Sequence, residues 1–267
     1  MLDVKGVSLS FGRTAVISDL TLTDFEPGEL VGILGANGVG KSTFLRAVAG
    51  MGRYSGRISI KGEDLRALSA PERAASIGYV PQTAPQSSNF VAYEFVISAC
   101  RSAVPDLSRD VLEERTEQVF RTLGLQDLAF RRLNRMSGGQ RQLVGLSQIL
   151  VRDPDLMLLD EPSTGLDLRW QIVVFDLFRA RLRERGGLCL AALHDMNLAL
   201  RHCDRLAVLA DGGLIAFGAP AEVMTPDVLR RAFGVEGRIE VGSQGTPIAV
   251  IDSAGDALSK FGKEWRP

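Results

Sequence analysis

Near the start of the chain, hydrophobic and polar positions alternate. Val4, Val7 and Leu9 form one such stretch, and Ile17, Leu20 and Leu22 form another. Period-two spacing of this kind predicts strands with one buried face. After the Pro27-Gly28-Glu29 turn the pattern becomes continuous, Leu30-Val31-Gly32-Ile33-Leu34. An unbroken apolar run of that length suits a strand covered on both faces, as in a parallel sheet. A glycine-rich turn at 35–40 follows, then a helix from about Lys41 to Val48. Further short strands are expected at 56–60 and at Ile77–Val80.

The middle of the chain changes character, and 85–152 carries no buried-strand signal. Ser108 reads as an N-cap. Beyond it Leu112, Thr116, Val119, Phe120 and Leu123 fall at helical spacing with charged residues between them. A second helix is predicted from Ser137-Gly138-Gly139 to about Val151, broken by Arg152-Asp153-Pro154. Residues 156–159 return to a buried strand. The helix predicted over Leu168–Arg185 presents Ile172, Phe175, Phe178 and Leu182 on one face and ends at Gly186-Gly187. Strands at 188–193 and 206–209 flank a helix near 196–201, Gly212-Gly213 marks a hairpin turn, and Pro226–Phe233 is a short helix. The tail from Val235 is rich in glycine, and the pattern does not say how it packs. No internal repeat is visible. Strands and helices alternate at both ends around a helical block, which predicts an α/β fold with a mostly parallel sheet and an inserted α subdomain.

Composition narrows the class. The 267 residues are 45% hydrophobic and 24% charged, the balance of a globular protein of one large or two small domains. Disorder, a collagen-like repeat and a disulfide-dense miniprotein are excluded. A net charge of −1, from 31 basic and 32 acidic residues, gives no bulk attraction to nucleic acid or anionic lipid. Cys100, Cys189 and Cys203 are odd in number and far apart, which suits a reducing compartment rather than a disulfide framework. His194 and His202 are too few for a His-rich metal site. Met1 to Ser10 lacks the charged end and apolar run of a signal peptide. No apolar run approaches the ~18–20 residues of a spanning helix. The expectation is a chain that neither crosses a membrane nor is exported.

Chemistry concentrates first in Gly35-Ala36-Asn37-Gly38-Val39-Gly40-Lys41-Ser42, which fits G-x-x-x-x-G-K-[ST] between a buried strand and a helix. Glycines let the backbone curl so that successive N–H groups face phosphate oxygens. The helix N-terminus adds its positive dipole end. Lys41 offers a point charge for terminal phosphates, and the Ser42 hydroxyl can coordinate Mg²⁺. A glycine turn that contains Lys-Ser by chance is the bland alternative, and the strand–turn–helix context disfavours it.

A second signal is Leu156-Met157-Leu158-Leu159-Asp160-Glu161. A buried strand here ends in two carboxylates at the edge where open α/β sheets bind ligands. Asp160 can hold Mg²⁺ directly or through water. Glu161 points elsewhere, because adjacent side chains diverge, and could polarise an attacking water. These two motifs give a P-loop nucleotidase, which leaves kinases, G proteins and motors open. A third stretch, Met136-Ser137-Gly138-Gly139-Gln140, precedes Asp160 by about 20 residues and opens a helix. It is a second anion site of the helix-terminus kind. One nucleotide has one γ-phosphate, so a second site suggests a second copy of the chain.

The sequence here resembles the ATP-binding subunits of ABC transporters over nearly its whole length. Met136 to Gln140 matches the signature motif, usually Leu-Ser-Gly-Gly-Gln. Gln82, in Tyr79-Val80-Pro81-Gln82, matches the Q-loop glutamine. Ser163-Thr164-Gly165-Leu166-Asp167 matches the D-loop, and His194, in Leu193-His194-Asp195, the switch histidine. Phe11, about two dozen residues before the P-loop, fits the aromatic that stacks on adenine. Met136 in place of leucine is a mild apolar swap. Gln148 stands where relatives often have arginine, which leaves a local ion pair in doubt but not the nucleotide site.

The resemblance implies a RecA-like P-loop core with an antiparallel β part and an inserted helical subdomain. Residues 1–235 would form the ATPase domain, with core 1–84 and 153–235 and helical subdomain 85–152, and 236–267 a short extension. It further implies a head-to-tail homodimer with two ATP molecules between subunits. Each ATP would meet Phe11, the P-loop and Thr43 of one chain, and Ser137, Gly138, Gly139 and Gln140 of the other, with Asp167 at the shared site. Glu161 would be the general base. Gln82 would sense the γ-phosphate, join Ser42 and Asp160 around the metal, and lie near the membrane partner. His194 would hold the γ-phosphate and the water.

The stretches His194-Asp195-Met196-Asn197-Leu198-Ala199, Gly213 to Pro220 and Leu229 to Val235 look like importers of metal chelates: ferric siderophores, haem and cobalamin. Amino-acid, other metal and export ATPases share parts of this pattern. The reading implies separate permease chains, an extracytoplasmic binding protein and a peripheral position at the cytoplasmic face of the membrane. ABC ATPases acting on nucleic acid usually split the two halves of the site with a long coiled coil or zinc insertion, or carry two units. Here about 120 residues separate the P-loop from Asp160, with no heptads or cysteine clusters.

Overall fold

The apolar runs sort into sheets by how they are patterned. The computed structural model describes residues 1–12, 14–243 and 245–254, and of Phe11 the backbone alone. The two alternating stretches are β1 (Leu2–Phe11) and β2 (Thr14–Leu22), and the continuous run is β3 (Leu30–Leu34). β4 (Ser55–Ile60) and β5 (Glu63–Asp64) join the first two in an antiparallel sheet of order β2-β1-β4-β5. β3 instead lies inside a six-stranded sheet with β6 (Ile77–Val80), β7 (Leu156–Asp160), β8 (Leu188–Ala192), β9 (Arg205–Ala210) and β10 (Gly213–Gly218). The order is β10-β9-β3-β8-β7-β6, with β10 antiparallel at one edge and the other strands parallel.

Both faces of this sheet are covered, which is why its central strands read as unbroken apolar runs. On β3, Val31 and Ile33 pack with Phe44 and Leu45 of α1 (Lys41–Val48) and with the antiparallel sheet. Leu30 and Leu34 face the opposite core, with Val174, Phe175 and Phe178. Each such side chain taken fully out of water contributes about 1.5–3 kcal/mol.

That second core extends into the helical block. After α2 (Ala70–Ser76) come α3 (Ala92–Ala103), α4 (Arg109–Thr122), α5 (Gly138–Arg152) and then α6 (Leu168–Arg185). Ser108 caps α4, its hydroxyl accepting from the Val111 N–H, as its sequence position predicts. α3 is an addition to the sequence reading. Its buried face is Ala92, Val96, Cys100 and Ala103, and its N-cap Val91 makes no side-chain cap bond. Small residues and an uncapped start leave little helical signal. On α6 the buried residues are Val174, Phe175, Phe178 and Leu182, with Ile172 half-buried.

α7 (Met196–His202), α8 (Pro220–Val223) and α9 (Pro226–Phe233) complete the α-helices among the described residues. The β9–β10 turn sits one residue earlier than expected. Asp211 and Gly212 carry the positive φ values, 52° and 76°, the pair a type I′ hairpin requires. The tail forms a hairpin of β11 (Glu236–Val241) and β12 (Pro247–Ser253). It is anchored where the Ala249 N–H donates to Asn197 Oδ1 at 2.8 Å, and Ala249 joins the larger core. Among the described residues, no helix is long and apolar enough to cross a membrane.

Candidate active site

The loop between β3 and α1 curls because its glycines adopt backbone closed to other residues. Gly35 has φ 144° and Gly40 φ 110°. A Cβ on Gly35 would lie 2.3 Å from the Leu209 carbonyl oxygen, and one on Gly40 2.7 Å from Val16 Cγ1. Gly40 is the N-cap of α1 and supplies no capping side chain, and the first turn holds no acidic residue. The free N–H groups and dipole end of this helix are therefore available to an anion.

Lys41 folds back over the loop. Its Nζ donates to the carbonyls of Gly35 at 2.7 Å and Ala36 at 3.0 Å, and the residue is 6% exposed. Burial lowers the pKa of its ammonium group, an effect opposed by the charges of Glu161 and Asp160. Two neutral carbonyls compensate a buried cation poorly, so a phosphate oxygen in reach would be the better partner.

β7 delivers the two carboxylates, and a change of backbone separates them. Asp160 ends the strand fully buried. Its Oδ1 accepts from the Ser42 hydroxyl at 2.8 Å and its Oδ2 from the Tyr79 hydroxyl at 3.2 Å. Burial raises its pKa, while the hydrogen bonds from Ser42 and Tyr79 and the charge of Arg46 pull the other way. Tyr79 is a contact that sequence spacing alone did not single out. It comes from the neighbouring strand β6, so only the sheet order reveals it.

Glu161 takes a left-handed conformation at φ 50°. A non-glycine residue held there stores strain of about 1–3 kcal/mol, a feature that clusters at functional sites. Its N–H donates to the Ala192 carbonyl at 3.0 Å, which pins the strained turn to β8. The carboxylate leaves the strand alternation and enters the cleft. Its Oε2 accepts from Gln82 Nε2 at 2.9 Å and from the Thr164 hydroxyl at 3.2 Å, and lies 3.8 Å from His194 Nδ1.

The resulting cleft has a volume of about 880 Å³. Asn37, Gly38, Gly40, Lys41, Ser42 and Thr43 line one side, and Gln82, Glu161, Thr164 and His194 the other. Thr14 and Val16 of β2 border it. The candidates Gln82, Glu161 and His194 thus meet the P-loop at the ends of β3, β6, β7 and β8. Gly35 and Ala36 hold Lys41 from below, and Val39 is half-buried in the loop. The Phe11 side chain lies outside the described residues.

A second group of candidates does not line this cleft. Ser137 caps α5 in a reciprocal pair with Gln140: its hydroxyl accepts from the Gln140 N–H at 3.2 Å, and its own N–H donates to Gln140 Oε1 at 3.0 Å. Ser137 and Gly138 face solvent. Asp167 caps α6, accepting from the Trp170 N–H at 3.0 Å. Gly139 instead abuts its own chain, since a Cβ there would lie 2.7 Å from the Gly165 carbonyl oxygen.

The donor set at Ser42 and Asp160 fits a hard divalent cation, because a hydroxyl and a carboxylate converge within 2.8 Å beside the P-loop. Among the described residues no group of three or more His, Cys, Asp or Glu side chains could hold a metal ion. A cation here would share its ligands with a phosphate, the usual arrangement for Mg²⁺.

Comparison with known proteins bears on the same region. The profile of the ABC transporter family matches residues 18–164. The chain is 37% identical over 243 residues to a protein named hemin import ATP-binding protein HmuV from Bordetella avium, covering 88% of this chain and 92% of that one. It is 35% identical over 243 residues to the cobalamin import ATP-binding protein BtuD of Halobacterium salinarum, covering 91% of this chain and 60% of that protein. Among solved structures, it resembles a dimeric ATP-binding cassette in a post-hydrolysis state bound to ADP and Pi. The TM-score is 0.74 at 25% identity, over 82% of this chain and 99% of that one.

Proposed function

The chain belongs to the ABC transporter family, and from that premise we propose that it is the ATP-hydrolysing subunit of an importer of metal chelates. One observation carries the ATPase reading. A P-loop lysine, Ser42 with the buried Asp160 bonded behind it, and a Gln82–Glu161–His194 cluster meet at one cleft at the strand ends. The chelate reading rests on relatives that import hemin and cobalamin at 35–37% identity over most of the chain.

In this reading the triphosphate enters the loop formed by Gly35 to Thr43. Lys41 exchanges its two carbonyl partners for β- and γ-phosphate oxygens, and the N-terminus of α1 faces the same charge. Ser42 and Asp160, with Gln82 nearby, would hold Mg²⁺, which when bound neutralises charge on those phosphates. Glu161 accepts a proton from the attacking water. The water oxygen bonds to the γ-phosphorus as the bond to the bridging oxygen breaks, releasing ADP. His194, beside the same carboxylate, orients the water and the transferred group.

A second chain completes the site. Ser137, Gly138, Gly139 and Gln140 face solvent or lie half-buried at an N-terminus whose first turn holds no acidic residue. A head-to-tail partner brings them to the γ-phosphate, with Asp167 at the same contact. Separate permease chains hold the dimer at the cytoplasmic face of the membrane, fed by an extracytoplasmic binding protein.

The test is co-purification with the permease and reconstitution in vesicles, with haem, a ferric siderophore and cobalamin offered in turn. ATP-dependent uptake of one chelate, absent in a Glu161→Gln complex, is expected. ATP hydrolysis coupled only to an amino acid or an exported compound would overturn the chelate assignment.

A further inference from the structure

Two helices grip the turn that follows Glu161. α5 sends in Gln142, which is 2% exposed, with Nε2 3.4 Å from the Pro162 carbonyl oxygen. From the other side α6 sends Gln171, whose Nε2 lies 3.1 Å from the Leu166 carbonyl oxygen and 3.5 Å from that of Ser163. Between these points 162–166 closes on itself. The Thr164 N–H donates to the Glu161 carbonyl, and the Leu166 N–H to that of Ser163, both at 3.1 Å. The Thr164 hydroxyl sits on the Glu161 carboxylate at 3.2 Å.

A buried amide is retained only where its donors find acceptors. Here the acceptors are backbone carbonyls of one short turn, reached from two helices. The start of α6 is already capped by Asp167, so Gln171 is not needed to begin that helix. The first turn of α5 meets the same segment, because Gly139 approaches the Gly165 carbonyl too closely to carry a side chain.

We propose that Gln142 and Gln171 are positioning residues for ATP hydrolysis. They fix the 162–166 turn, so that Thr164 holds the Glu161 carboxylate in the orientation from which it takes the proton of water. Neither glutamine acts on the water itself. The same grip ties the α5 N-terminus to Glu161 within one chain. This proposal rests on the reading of Glu161 as the base.

The test compares Gln142→Met, Gln171→Met and Glu161→Gln in the full-length protein with its permease. Methionine keeps the length of glutamine and removes the donor. A loosened carboxylate lowers kcat by about tenfold, the size of one well-placed hydrogen bond. KM and the ATP dissociation constant stay within about twofold, since neither glutamine belongs to the P-loop and methionine keeps the length of Gln171, which borders the cleft. Gln142→Met tests a buried site, and Gln171→Met repeats the test on a half-buried helix face where folding is less at risk. Wild-type kcat in both methionine variants, or a loss of ATP affinity in step with kcat, overturns the positioning role. Normal turnover in Glu161→Gln instead overturns the base assignment, whatever the glutamines do.

Discussion

Gln82 Nε2 donates to Glu161 Oε2 at 2.9 Å, from the end of β6 to the end of the neighbouring β7. The bond ties together the two loops that follow these strands and occupies one carboxylate oxygen. A glutamine at 161 can still accept that bond through its amide oxygen but cannot take a proton from water. Glu161→Gln is therefore expected to keep ATP affinity and lose ~10²–10⁴-fold in hydrolysis, the usual size of a general-base contribution. Phosphate release and nucleotide binding, measured on the same sample, check this. Near-normal turnover would remove Glu161 from the role.

Lys41 is held by neutral carbonyls although it carries a charge. Lys41→Ala deletes the only side chain of the loop that can pair ionically with the phosphates. A lost hydrogen bond to a charged group is worth about 1.5–3 kcal/mol, or roughly 10–100-fold in the dissociation constant for ATP. Calorimetric titration reads this directly, and an unchanged affinity would place Lys41 outside the site.

Asp160 offers a pH test. Burial holds its pKa above the ordinary value of 3.8. The folded chain therefore binds this proton more tightly than the unfolded chain does. Stability from this group rises as pH falls through the raised pKa, and levels off below the ordinary value. At neutral pH without nucleotide, the charged side chain is a burden that Asp160→Asn removes. The variant is expected to melt higher, by about 2–4 °C for each kcal/mol removed. The gap to wild type should narrow as the buffer is acidified. Thermal melts across the pH series decide it: a gap that does not change with pH, or a less stable variant at neutral pH, contradicts the assignment.

What the sequence made legible follows from local physics. The boundaries of β3 and α1 match because an apolar run is punctuated by Pro27-Gly28 on one side and the glycine loop on the other. Ser108 caps α4 as its position predicts, because such a cap acts through the next three residues of chain; the caps made by Ser137 and Asp167 emerge from the structure. The links of Tyr79 to Asp160 and Gln142 to Pro162 were not legible. Each depends on how separate elements are brought side by side. The tail hairpin is similar, since the Asn197–Ala249 bond that anchors it joins residues 52 apart in sequence.

Gly138 gives the sharpest test of a shared site. Within one chain, a Cβ on Gly138 would meet nothing within 4 Å, whereas one on Gly139 collides with Gly165. A side chain at Gly138 should leave the monomer intact, because Gly138 is the first residue of α5 and a Cβ there meets open space. Ser137 is a poorer probe, because its hydroxyl caps α5 and its loss costs about 1 kcal/mol on its own. Gly138→Arg is therefore expected to keep the melting temperature and ATP affinity of the monomer. If the two-chain site holds, it should abolish ATP-driven dimerisation in the Glu161→Gln background, since arginine would fill the surface proposed to meet the partner's γ-phosphate. Mixing separates this from a local defect. A Lys41→Ala chain keeps its signature, and a Gly138→Arg chain keeps its P-loop. Together they build one intact site from the P-loop of the second and the signature of the first, while neither homodimer contains any. Light scattering with ATP should show dimers in the mixture and monomers in each pure sample. Normal dimerisation and hydrolysis by Gly138→Arg alone would mean that the α5 N-terminus serves no partner, and the two-chain site would have to be abandoned.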